Sequence, residues 1–163
     1  MERGWFKKSY YDYNDFVKAM LRGDIEEMNA YMNLVSEQVF SSFDTEKKPS
    51  QSHPERFYHG FVLGLIVELS GKYVITSNRE SGFGRYDVMI EPKNQEEDAI
   101  ILEFKVYNKR KEKSLEETVA SALAQIEEMD YERDLITRGF KKEQIRKYGF
   151  AFEGKTVLIG EAG

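Results

Sequence analysis

Glu103 and Lys105 lie inside AIILEFKV, residues 99–106, a run that otherwise reads as apolar core. Charged side chains need a strong reason to enter such a segment, because burying an unpaired charge is costly. The chain holds four Glu-x-Lys triplets, at Glu46/Lys48, Glu91/Lys93, Glu103/Lys105 and Glu153/Lys155, so the triplet alone selects nothing. Three of them sit in or beside polar turns, and only Glu103/Lys105 interrupts a strand. Residues two apart on a strand share a face about 7 Å apart, so this acid and this amine project together while Phe104 enters the opposite side.

The polar connection EPKNQEED separates that strand from RYDVMI. If it closes an antiparallel hairpin centred near Gln95, equal counting outward places Asp87 opposite Glu103, give or take a residue. Two carboxylates opposed on a sheet repel each other, which asks for a bound cation or a shared proton. Mg²⁺, with Mn²⁺ as a substitute, meets that need with two or three carboxylates, backbone carbonyls such as that of Phe104, and waters. Such an ion polarises a phosphate and acidifies water, while Lys105 orients the water or stabilises charge growing on phosphate oxygens. The expected reaction is hydrolysis of a phosphodiester.

Further candidates each have a plain structural explanation beside the functional one. Glu55 closes an S-x-x-E pattern with Ser52, and spacing alone does not choose between helix capping and metal binding. His59 follows it by one helical turn, where a supporting role at the site competes with ordinary packing. Arg79 and Arg85 flank a glycine-containing turn in which arginines either clamp a phosphate or stay solvated. Lys109, Arg110 and Lys111, with Lys113, follow the Glu103 strand, where a basic loop could contact a nucleic-acid backbone. Lys141, Lys142, Arg146 and Lys147 read instead as a solvated helix.

The elements that must hold these residues follow from periodicity. Residues 16–21 and then Ile25, Met28, Met32, Val35 and Val39, opened by Asp24 and Glu27, predict two helices at the N-terminal end. The polar stretch SFDTEKKPSQSHPE separates this lead-in, residues 1–50, from a core over residues 51–163. FYHGFVLGLIVEL predicts a helix, followed by three strands around Tyr73–Thr76, Tyr86–Ile90 and 99–106. Ser114 and Glu117 start a long helix with Leu115, Val119, Ala122, Ile126 and Met129 on one face. A short helical piece ending at Gly139 precedes two strands in YGFAFEGKTVLIG, joined at Glu153-Gly154.

Asp87 and the Glu103-Phe104-Lys105 triplet, set in an α-β-β-β-α-β order, resemble the signature of the PD-(D/E)xK nuclease superfamily. Glu55 with YHGF, SNRESGFGRYD, IILEFK and ALAQI look more narrowly like the nuclease-like domain found behind AAA-ATPase-like regions in bacterial proteins, over residues 55–155. The resemblance implies an α/β, restriction-endonuclease-like fold with a mixed central sheet flanked by helices. It also implies Glu55 as a third acidic metal ligand and Gln125, beside Ala122 and Ala124, as a residue supporting the site. Related nucleases place a tyrosine four residues after that glutamine. Here the position is Met129, with Tyr131 nearby. An ATPase-like region in the same longer protein, or in a partner, is the implied associate, and a homodimer is open. This chain has no G-x-x-x-x-G-K-[ST] loop and is not itself the ATPase.

Composition bounds the rest. The 163 residues suffice for one domain with a core, and the absence of cysteine excludes disulfides, thiolate nucleophiles and cysteine-ligated metals. No apolar run reaches the length of a membrane span, and the chain is expected in the cytoplasm. A net charge of −5 argues against coating nucleic acid by bulk attraction, so phosphate contacts must be local. The expected activity is a metal-dependent nuclease acting on DNA in preference to RNA. A catalytically silent module of the same fold, binding nucleic acid or a partner protein, is the competing reading.

Overall fold

Successive side chains along each strand point to opposite faces of the sheet, and both faces are covered, so the central strands are buried at consecutive positions. The computed structural model of the protein describes residues 13–43, 52–80 and 85–162 and, within them, all side chains except those of 39–43, 52–59, 79, 80 and 85. Among the described residues three helices precede the sheet, α1 (Tyr13–Arg22), α2 (Ile25–Phe43) and α3 (Ser52–Leu69). Strands β1 (Tyr73–Glu80), β2 (Arg85–Pro92) and β3 (Ala99–Val106) follow, then α4 (Leu115–Met129) and α5 (Tyr131–Thr137), then β4 (Ile145–Glu153) and β5 (Thr156–Glu161).

The sheet runs β1-β2-β3-β4-β5, antiparallel throughout except for the parallel pair β3 and β4. A parallel pair needs a crossover, and α4 supplies it. The result is a mixed sheet flanked by helices, the restriction-endonuclease-like arrangement that the element order predicts.

On one face Val88, Ile90, Ile100, Leu102, Phe104, Tyr148, Phe150 and Phe152 pack against Phe16, Met20, Met32, Phe61 and Leu65 of the first three helices. Aromatic edges meet ring faces there, with Phe104 and Phe150 centroids 4.8 Å apart and Phe61 and Phe104 5.6 Å apart. On the other face Ala99, Ile101, Ile126, Leu135 and Phe140 form a smaller core under α4 and α5. Arg146 and Lys147 do not form a solvated helix. They open β4, where Lys147 is buried and pairs with Glu127 at 2.6 Å and Glu132 at 3.1 Å. A run of basic residues at a strand start is indistinguishable in sequence from a helical one, and only the covering helix corner reveals it.

The edge strand β5 is closed by side chains rather than by another strand. Asn29 of α2 donates to the Ile159 carbonyl at 3.0 Å and accepts from its N–H at 2.8 Å. Asn33, one turn on, makes the same pair of bonds with Val157, both at 2.8 Å. Two amides at helical spacing thus imitate a sixth strand and blunt an edge that would otherwise invite pairing with other chains. Asn33→Ala should cost about 1–3 kcal/mol, the price of leaving one donor and one acceptor on β5 unsatisfied. Thermal melts read this, and an unchanged melting temperature would show that water replaces the amide at no loss.

Candidate active site

One register row crosses the whole sheet on the α4 side. Asn78 of β1 faces Asp87 of β2, Asp87 faces Glu103 of β3, Glu103 faces Gly149 of β4, and Gly149 faces Gly160 of β5. The carboxylates are therefore direct neighbours on adjacent strands, as counting outward from Gln95 predicts. Both are buried, Glu103 at 1% exposure and Asp87 at 7%. Those values put the pair in a medium where opposed charges interact far more strongly than in water.

The two glycines explain why the acids can lie under a helix. A Cβ on Gly149 would stand 2.9 Å from the Val119 carbonyl oxygen and 3.2 Å from Ala122, and one on Gly160 would stand 2.7 Å from Val119. α4 therefore lies directly on the backbone of β4 and β5, and its side-chain row is fixed relative to the acids.

Lys105 lies two residues beyond Glu103 on the same face. Its ammonium donates to Glu112 Oε2 at 2.6 Å and to Ser121 Oγ at 2.6 Å. Glu112, 6% exposed, also accepts from the Asn108 N–H and the Thr118 hydroxyl, both at 2.9 Å. Burial pushes the Glu112 carboxyl up, but the bonds from Lys105, Asn108 and Thr118 and the Lys105 charge outweigh it and hold the group below its ordinary 4.5. A carboxyl held low in the folded state contributes stability that is complete above the unfolded value and disappears as pH falls through the folded one. Acidification below about pH 4.5 should therefore destabilise the wild type more steeply than Glu112→Gln. Parallel melting curves against pH for the two proteins would contradict the assignment.

Tyr131 reaches the same row from α5. Its hydroxyl bonds to Asp87, and Asn78 Nδ2 lies 3.4 Å from it. Burial, the Asp87 charge and the bond to Asp87 push the phenol up to about 12, so it stays protonated. Asp130, between α4 and α5, sits at φ 61, a left-handed backbone uncommon for a residue other than glycine. Lys147 bridges Glu127 of α4 and Glu132 of α5 and so holds the corner that delivers Tyr131. A tyrosine two places later than the expected position arrives because the helix turns rather than continues.

The sequence-derived candidates divide accordingly. Asp87, Glu103 and Lys105 share one face of β2 and β3, and the Phe104 side chain is in the opposite core. Gln125 is half-buried on α4, one turn after Ser121. Lys109, Arg110 and Lys111 are exposed in the loop after β3. Glu55 and His59 fall in α3, and Arg79 and Arg85 end β1 and begin β2, with Arg85 in register with Lys105. The side chains of these last four lie outside the described residues. Sequence reasoning passes over Glu112 and Ser121, and it meets Tyr131 only as a neighbour of the position where related nucleases place a tyrosine. Glu112 sits inside a charge run that reads as solvated, and Ser121 is an ordinary helix residue.

Among the described residues no group of three or more histidine, aspartate or glutamate side chains converges on a metal position. The carboxylates of Asp87 and Glu103 are hard oxygen donors, the type a divalent cation such as Mg²⁺ takes, and their chemistry would fit such an ion.

Two buried acids and a lysine thus share one face at the centre of a mixed sheet flanked by helices. A family model of the PD-(D/E)XK nuclease superfamily matches residues 53–162, and the chain belongs to that superfamily. Its nucleases generally use divalent metal ions. No curated protein and no solved structure matches the chain. Among the described residues no helix is long and apolar enough to cross a membrane.

Proposed function

We propose that the protein is a Mg²⁺-dependent nuclease that hydrolyses DNA, with residues 51–163 as the nuclease core and 1–50 as a helical lead-in. The observation that carries this is the buried opposition of Asp87 and Glu103, in register, with Lys105 on the same face. Asp87, Glu103, the Phe104 carbonyl and Glu55 would hold the ion, which Mn²⁺ replaces. The bound ion supplies Lewis acidity that polarises the scissile phosphate and lowers the pKa of water.

The protein's own groups do the remainder. Lys105 donates a hydrogen bond to the attacking water or to a non-bridging phosphate oxygen, where negative charge grows. Gln125 positions the same water or oxygen through its amide. Lys109, Arg110 and Lys111, with Arg79, Arg85 and His59, contact the phosphate backbone and keep binding salt-dependent. We place the protein in the cytoplasm, beside an AAA-ATPase-like region of the same longer chain or of a partner. A homodimer would set two such sites on one duplex.

Incubating the protein with labelled DNA and RNA, with Mg²⁺, with Mn²⁺ and with EDTA, tests the proposal. DNA should be cut only with a divalent ion, and Lys105→Ala should slow cutting by about 10²- to 10³-fold. Metal-independent binding without cutting would identify the silent module instead. Preferential cutting of RNA would reverse the substrate assignment.

A further inference from the structure

In the run Lys109-Arg110-Lys111-Glu112-Lys113 the four basic residues are exposed and the single acid is buried. A lone carboxylate that turns inward from a basic loop pays desolvation unless charge and hydrogen bonds meet it. Here they come from three different elements. Lys105 of β3 donates to Oε2, while the Asn108 N–H of the loop and the Thr118 hydroxyl of α4 donate to Oε1. The loop is itself folded onto Asn108, whose carbonyl accepts from the Lys111 and Glu112 N–H groups and whose side chain accepts from the Arg110 N–H.

We infer that Glu112 is a positioning residue that fixes the Lys105 ammonium on the sheet face it shares with Glu103 and ties its place to the conformation of the basic loop. Resting on the nuclease reading above, this adds a fourth acidic residue that touches neither substrate nor metal. Lys105 has four rotatable bonds, and a catalytic ammonium that wanders by an ångström loses much of its effect. Glu112 Oε2 and Ser121 Oγ hold two of its three donors and leave one for substrate. Because Asn108 bonds to the same carboxylate, phosphate contacts at Lys109, Arg110 and Lys111 bear on the geometry of Lys105.

Two readouts test this in the full chain. In the first, acetic anhydride labels lysines under limiting conditions, and mass spectrometry gives the ratio of Lys105 to Lys147 modification. Lys147 is buried in its own ion pairs, so unfolding frees both residues and drives the ratio towards that of two free lysines, not selectively towards Lys105. Glu112→Gln and Glu112→Asp should each raise the ratio about tenfold, the factor expected on losing a hydrogen bond to a charged group. An unchanged ratio in both variants overturns the inference.

In the second, Glu112→Gln should lower kcat by about 10- to 100-fold at unchanged KM, and should cost nothing further in a Lys105→Ala background. Additive losses would show that Glu112 acts elsewhere. If the wild type cuts no nucleic acid, the nuclease reading fails and the labelling ratio still decides where Lys105 is held.

Discussion

Asp87→Asn should lose metal-dependent cleavage by about 10²- to 10³-fold or more, and with it the stabilisation that Mn²⁺ gives the folded protein. A ligand that binds only the native state at a hundred times its dissociation constant adds about 2.7 kcal/mol. For a domain of this size that corresponds to a rise of about 5–10 °C in melting temperature. The wild type should show that rise and Asp87→Asn should not, because one of two opposed carboxylates has become a neutral amide. Glu103→Gln should behave alike, since the two residues face each other in register. A variant that still shifts with Mn²⁺ would place the ion elsewhere.

Gly149→Ala should have the second largest effect, although glycine carries no chemistry. The added methyl would stand 2.9 Å from the Val119 carbonyl oxygen, a backbone atom that cannot swing aside. α4 must then lift from the sheet, at about 1–3 kcal/mol, or roughly 2–12 °C in melting temperature. The same helix carries Ser121 against Lys105 and bears Gln125, so cleavage should fall by about tenfold or more even where the protein remains folded. A stable variant with full activity would mean that the helix–sheet distance at Glu103 is slack.

The strand-to-strand relation at the site is legible in the sequence for a physical reason. EPKNQEED is short and polar, so register is set by the turn, and Asp87, Glu103 and Lys105 mark the shared face of the flanking strands. Asp87 opposite Glu103 follows from that counting, and the observed pairing has them as partners. The helix under Ser114 is equally readable, since the Ser114 hydroxyl accepts from the Glu117 N–H as an S-x-x-E start demands.

What escapes depends on tertiary cover. Lys147 reads as a solvated base until the α4–α5 corner is laid over it, and Glu112 reads as part of a soluble loop until Lys105 and Thr118 turn towards it. Tyr131 misses the expected spacing after Gln125 because helical counting stops at Asp130, whose left-handed backbone redirects the chain. Each of these depends on contacts between elements distant in sequence, to which periodicity is blind.

Crystals soaked in Mn²⁺ and measured near the manganese absorption edge test, without any assay, whether Asp87 and Glu103 share one divalent ion. An anomalous peak about 2.1 Å from a carboxylate oxygen of each residue is the predicted result. Manganese bound only at the protein surface, with none between those two strands, would contradict it.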